Sequence, residues 1–400
     1  MRKLCLLTSV PAAISGRGRL LRRIALVLAF TIHYPLTTNH SLWAAGETAA
    51  EFLKLSPSAR AAALGDAGVT SLDVSAAHYN PGALSGIIQG EASFMHVAHY
   101  QDVSYSYVAA AYPTSQGTFA ASFGSLGVGK FQGYNVFGEA TREVTAGASV
   151  IGLSYANFLY GDARALSKLG GGLTIKSVSE TLDKKSANTI AFDIGMIYSM
   201  MVADRPLALG LSFLNMGGSL KYNPESAGFP TPTTVRFGAL YSVNVAQNPL
   251  NTMIEITTPQ GDKAAVGLGL EYIIRGLLAI RGGYTTGGEI KDAVGMRFGF
   301  GLNLMGVEFD YASAHAGELG ISHRAGITVR FGRQALPMAV GLPPTMSSGY
   351  TVDAIYQRAV KLYEEGRYPE AVIEFNRALE SDPTNQKALE YMKKSTEKIK

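Results

Sequence analysis

After residue 45 five histidines, His78, His96, His99, His315 and His323, are the side chains best able to ligate a metal or move a proton. Their spacing speaks against both roles. His96 and His99 are three apart in an alternating segment, and in a strand that puts them on opposite faces. His315 and His323 flank one hairpin with Glu318, which reads as a loop and not as a site. The single cysteine, Cys5, precedes the segment that starts the folded protein, so a thiol nucleophile, a disulfide and a Cys-based zinc site are all excluded there. Gly124, Gly127, Gly129 and Gly133 lack the dinucleotide spacing and the following helix, and Gly170-Gly171-Gly172 lacks the Gly-Lys-Ser/Thr ending of a phosphate loop. The chemistry-bearing residues thus predict no enzyme, no metal and no cofactor. What remains is structural charge: Arg60, Asp66, Asp73 and His78 stand among apolar residues between 46 and 90, and Arg324 and Arg330 share one face of the last alternating segment.

These charges need elements to hold them. From about 91 to 331 the chain repeats runs of some ten alternating residues separated by Gly, Asn, Asp, Pro, Ser or Thr, the pattern of antiparallel strands. In the clearest run Ile190, Phe192, Ile194, Met196, Tyr198 and Met200 share one face, and Ala191, Asp193, Gly195 and Ser199 the other. In the last run Ile321, Ala325, Ile327, Val329 and Phe331 oppose Ser322, Arg324, Gly326, Thr328 and Arg330. Arginines on the inner face are costly in a dry sandwich and ordinary in a wet lumen. The runs fall near 92–100, 102–112, 117–125, 141–158, 169–180, 189–200, 205–214, 233–243, 249–258, 264–273, 276–285, 292–301, 303–312 and 321–331. Fourteen is an even count, as closure of a bacterial outer-membrane barrel requires. Glycines inside strands, such as Gly267, Gly269, Gly283 and Gly299, cost stability unless curvature or a close-packed plug excludes a side chain.

Composition agrees with export. Residues 1–45 carry six basic residues and no acid, an apolar run from Ile24 to Ile32 and Ala44-Ala45 as the expected cleavage site, which together read as a signal peptide. Without them the chain has 29 basic against 31 acidic residues, so nucleic acid is excluded as a partner on charge. Residues 46–90 do not alternate; they are expected to form a hatch inside the lumen, the alternative being a flap outside it. Arg60 and Asp66 are the expected anchoring charges, and Asn80, Pro81 and Gly82 the turn that leads from hatch to first strand.

Residues 332–350, with Pro337, Pro343 and Pro344, read as a linker. Beyond it, three helices are predicted over 351–400. Gly366, Tyr368, Ala371, Phe375, Ala378 and Pro383 follow one another in the order of a tetratricopeptide repeat (TPR), with Gln357, Lys361 and Glu364 as candidate partner-binding residues. A tail returning from an even-stranded barrel is placed in the periplasm, facing a periplasmic or secreted protein partner.

The segments 50–55, 58–67 and 76–84, ending in Asn80-Pro81-Gly82-Ala83, resemble the opening of the PorV/PorQ family of outer-membrane barrels related to long-chain fatty-acid transporters. That resemblance implies fourteen strands, a luminal N-terminal hatch, an outer-membrane address in contact with its lipid, and a role in escorting secreted proteins or scaffolding an envelope complex. The alternatives are passive transport of hydrophobic small molecules such as fatty acids, and a purely structural envelope protein.

Overall fold

The computed structural model describes residues 47–98, 103–163, 165–223, 225, 227–287, 295–315, 320–332, 352–381 and 385–399. The expected signal segment, His99, Glu318, most of the expected linker and Pro383 lie outside these residues.

Alternation yields a closed antiparallel barrel of fourteen strands. These are β1 (Gly90–Ala98), β2 (Ser104–Thr114), β3 (Gly117–Tyr134), β4 (Ala140–Tyr160), β5 (Lys168–Leu182), β6 (Lys185–Val202) and β7 (Arg205–Met216). After a two-stranded ribbon, β8 (Ser219–Leu220) with β9 (Phe229–Pro230), come β10 (Thr234–Val245), β11 (Asn248–Pro259), β12 (Ala265–Ile274), β13 (Leu278–Gly287), β14 (Gly295–Leu304), β15 (Val307–His315) and β16 (Ile321–Phe331). Each barrel strand pairs with its sequence neighbours, and β16 closes on β1 with Phe94 opposite Ile327. The expected count holds, and the run at 141–158 is one strand. β3 and β6 run farther than the expected 117–125 and 189–200. Their extensions carry Gly127, Gly129 and Gly133, or Ser186 and Asn188, so pairing continues where the apolar alternation has stopped.

An even strand number brings the chain back to the end where β1 starts. That end carries tight connections: Ala203-Asp204, Ala246-Gln247 and Met305-Gly306 all have positive φ, the type I′ geometry that matches strand twist. The opposite end carries the 217–233 connection with its ribbon. Short turns mark the periplasmic end of outer-membrane barrels.

Outward positions are apolar and exposed, among them Ile194, Ile254, Leu270 and Phe298, whereas Asp193, Glu255, Glu271 and Arg281 on the other face are buried. An apolar outer band around a polar interior is what a bilayer selects. The protein is an outer-membrane β-barrel. No helix among the described residues is long and apolar enough to cross a membrane; crossing is by strands.

The C-terminal region forms three helices, Val352–Glu364, Tyr368–Ser381 and Gln386–Ile399. Ala359, Leu362, Ala371, Phe375, Ala378 and Ala388 make their core, with Tyr356, Tyr363 and Tyr391 packed on it. The small Ala371 and Ala378 let the helices approach, and Tyr368 meets Tyr363 edge-on at 5.4 Å. Gly366 has φ 75°, and Arg367 N–H reaches back to the Leu362 carbonyl at 2.9 Å, closing the first helix as a left-handed cap does. Gln357, Lys361 and Glu364 are exposed.

Candidate functional site

Residues 47–89 meet the inward face of the strands, and local sequence shapes them. A 3₁₀ turn spans Glu51–Lys54. Ser58 accepts from Ala61 N–H at 3.2 Å and starts the helix Ala59–Ala63. After the helix Ala76–Tyr79, Asn80 accepts from Gly82 N–H at 3.1 Å and starts the 3₁₀ turn Pro81–Gly86. The Asn80 side chain also donates to the Val69 carbonyl at 2.8 Å and to the Met196 carbonyl at 2.9 Å, joining the segment to β6.

Strand glycines receive this segment. A methyl group on Gly210 would come within 2.6 Å of the Val69 carbonyl oxygen, on Gly269 within 2.7 Å of the Leu64 oxygen, and on Gly299 within 2.5 Å of the Ala63 Cβ. Gly172 meets Pro81, Gly195 meets Asn80, and Gly267 and Gly283 meet Gly65 even more closely. The belt therefore runs through β5, β6, β7, β12, β13 and β14, and its missing side chains are the space that the backbone of 63–82 fills. Gly65 itself has φ 73° and lies 2.6 Å, by the same measure, from the Leu268 and Tyr284 carbonyl oxygens.

Charge fixes the orientation. Arg60 grips both oxygens of Glu271 on β12, at 2.8 and 2.7 Å, in a pair sealed from solvent. Burial works against the Arg60 charge, but the facing Glu271 carboxylate raises its pKa above the ordinary guanidinium value. Glu271 also accepts from Arg281 at 2.9 Å and from Asn251 at 2.9 Å. Arg281 continues to Glu308 and Asp310, Arg330 bridges Glu308 at 2.8 Å and Glu91 at 3.1 Å, and Glu91 accepts from Val74 N–H at 2.9 Å. A chain of buried charge thus starts on the segment, crosses the wall and returns to the segment. Asp66 is looser: its carboxylate is 3.5 Å from Arg236, which holds Glu255 at 2.6 Å and covers the Tyr79 ring at 5.0 Å. Val69 N–H donates to the second Glu255 oxygen at 2.8 Å.

Arg324 donates to Ser322 on its own strand, and Arg330 reaches Glu91, the residue that accepts from Val74 N–H. Sequence reasoning missed Glu271, Arg281, Arg236 and Glu255. Their signal was phase: Gly267, Gly269 and Glu271, or Arg281, Gly283 and Thr285, occupy alternate positions on one face. His78 is buried between Tyr79 and Tyr107, at 5.0 and 6.2 Å; burial, aided by Lys176 and Arg236, lowers its pKa well below the ordinary value. His96 is hydrogen-bonded to Ser106 and His323 to Tyr311, at 3.0 and 2.7 Å. Among the described residues no group of three or more His, Asp or Glu is placed to hold a metal.

Above the belt lies a cavity of about 280 Å³. Leu53, Leu214, Pro259 and Ala265 give it apolar walls, and the paired charges of Asp66, Arg236 and Glu255 line its floor. It exceeds the roughly 150 Å³ of a cavity that holds benzene.

No family model matches the chain, and no curated protein does. Solved structures do. The toluene transporter TbuX of Ralstonia pickettii is similar at 13% identity and a TM-score of 0.49, over 70% of this chain and 98% of that one. The toluene transporter TodX of Pseudomonas putida follows at 12% and 0.45, over 68% and 96%. A FadL homologue of Pseudomonas aeruginosa gives 11% and 0.43, over 70% and 98%. These findings correct three expectations. PorV/PorQ membership and the secretion role taken from it are not supported: no family model matches the chain, and the similar structures named here are two toluene transporters and a FadL homologue. The TPR assignment is likewise not supported: the three helices are present, and no repeat model matches them.

Proposed function

We propose that the protein is a passive conduit for small hydrophobic molecules across the outer membrane. In this reading residues 46–90 are a hatch inside the barrel of 91–331, anchored by Arg60 and secondarily by Asp66, with Asn80, Pro81 and Gly82 turning the chain toward β1. Residues 351–400 form a helical appendage in the periplasm, since β16 ends where β1 begins.

The cavity carries the reading. Its volume suits a molecule somewhat larger than benzene, and a solute that sheds its water against Leu53, Leu214 and Pro259 gains the hydrophobic contribution. Beneath it Arg236 pairs with Glu255, whose other oxygen accepts from Val69 N–H, and Lys54, Asp262, Lys263 and Arg297 also line the cavity. A hatch seated on a glycine belt restrains ions and hydrophilic solutes that an open fourteen-stranded lumen would pass.

Binding tests the proposal. Purified protein in lipid nanodiscs should bind a small radiolabelled hydrocarbon saturably, and Ala265→Trp, which fills the cavity, should abolish that binding while the barrel stays folded. Binding that is nonsaturable, or that persists in Ala265→Trp, would reject the cavity as the site of passage.

A further inference from the structure

Charge is distributed unevenly around the cavity. The carboxylates that line it are already held: Glu255 by Arg236 at 2.6 Å, Asp66 by the same arginine at 3.5 Å, and Asp262 by Lys54. The lining hydroxyls are engaged as well. Thr234 donates to the Pro232 carbonyl at 2.9 Å, Thr257 to Glu255 at 3.3 Å and Thr285 to the Gly65 carbonyl at 2.8 Å. Two cations are left over: among the described residues, neither Arg297 of β14 nor Lys263 of the β11–β12 turn has an ion-pair partner.

Register explains why Arg297 stands without an acid. It is the third residue of β14, at the end of the barrel away from the tight turns, and it lies opposite Gly283 on β13 and Ala314 on β15. Directly opposed residues of an antiparallel pair share one side of the sheet. Gly283 is on the inner side, against Gly65, so Arg297 enters the lumen between two positions that offer no carboxylate. Arg281, on the neighbouring strand, is by contrast placed opposite Glu271. A guanidinium keeps its charge at any physiological pH, and its planar fork fits both oxygens of a carboxylate. Half-buried Arg297 therefore presents a carboxylate-shaped set of donors to a cavity whose other walls include Leu53, Leu214 and Pro259.

We propose that the cavity is a site for a small aromatic carboxylate, its ring against the apolar walls and its anionic head on Arg297. The inference rests on the conduit reading and narrows it, from small hydrophobic molecules in general to amphipathic monoanions of about one ring. At about 280 Å³ the cavity has room for the head beside a ring that fills roughly 150 Å³. A cationic ligand has no acceptor to meet, because each lining acid is taken. Lys263 is exposed at the rim, where it attracts the anion from solvent more than it holds it.

Saturation binding to the intact protein in zwitterionic nanodiscs at neutral pH tests the site with three probes of one ring each: toluene, benzoate and its uncharged analogue benzamide. Benzoate should bind about tenfold more tightly than benzamide, as one charge-assisted contact provides. Arg297→Gln should remove that about tenfold advantage and leave toluene binding unchanged, which also shows that the variant cavity is intact; Arg297→Lys should restore part of it. Lys263→Gln should weaken benzoate only about twofold. Acetate, an anion with no apolar body, should not displace benzoate at equal concentration. Benzoate bound no better than benzamide, an Arg297→Gln protein that binds benzoate normally, or displacement by acetate would overturn the proposal. Saturable toluene binding without a benzoate preference would sink this inference and leave the conduit standing, whereas absence of saturable binding for every probe would reject both.

Discussion

If residues 46–90 act as the proposed hatch, replacing Arg60 by Ala removes the guanidinium that they set against the wall's Glu271, and the structure sets the size of the effect. Breaking a buried ion pair by deleting one partner costs about 3–5 kcal/mol when the other charge is abandoned. Glu271 is not abandoned: Arg281 and Asn251 still donate to it, both at 2.9 Å. The lower figure, about 3 kcal/mol, applies, and the undocked population should rise roughly 150-fold. Asp66→Ala is the control within the same segment. Its partner is 3.5 Å away, its side chain is one quarter exposed, and Arg236 keeps Glu255, so about 1 kcal/mol and roughly fivefold are expected. The assay is native-state proteolysis in detergent, where cleavage within 57–86 tracks the population of the open form. Cleavage of Arg60→Ala at the wild-type rate, or no faster than Asp66→Ala, would refute the anchoring argument.

Adjacent glycines on β13 give a second test. Gly282→Ala meets nothing within 4 Å and should be neutral or slightly stabilising, whereas Gly283→Ala drives a methyl group into the Gly65 backbone and should cost about 1–3 kcal/mol of unfolding stability in detergent. Leu270→Arg, on the outer face, should cost about 2–4 kcal/mol in lipid, measured by reversible folding into vesicles. For pH, the docked state keeps His78 neutral, with its pKa below the undocked value of about 6.5. Above that value docking is unaffected; as pH falls below it the undocked state takes up a proton first, and docking weakens by up to about 1.4 kcal/mol per pH unit. Proteolysis of 57–86 should therefore accelerate from pH 7 to pH 5, with a smaller slope in His78→Gln.

Strands were legible because a bilayer outside and charge inside impose a period of two, as β6 and β16 display. The same rule hid the ends of β3 and β6, where both faces meet water and the alternation lapses although pairing persists. Residues 47–89 were visible as the stretch that does not alternate, and Arg60 as a charge among alanines. Its partner was not visible, because Arg60 and Glu271 are brought together by barrel closure across 211 positions, which local spacing does not encode. The ribbon at 219–230 has too few paired residues to leave a pattern. Part of the resemblance drawn from 50–55, 58–67 and 76–84 has a local physical reason: the Asn80 cap, Pro81 at the first helical position and Gly82 without a side chain suit any tight reversal against a wall.

The most direct test of the conduit is the initial rate at which intact cells take up a benzene-sized hydrocarbon and a hydrophilic sugar of similar mass, with and without the protein in their outer membrane. The hydrocarbon rate should rise on expression, return to background in Ala265→Trp, and leave the sugar rate unchanged. A hydrocarbon rate that does not respond to expression, or a sugar rate that rises with it, would contradict the account.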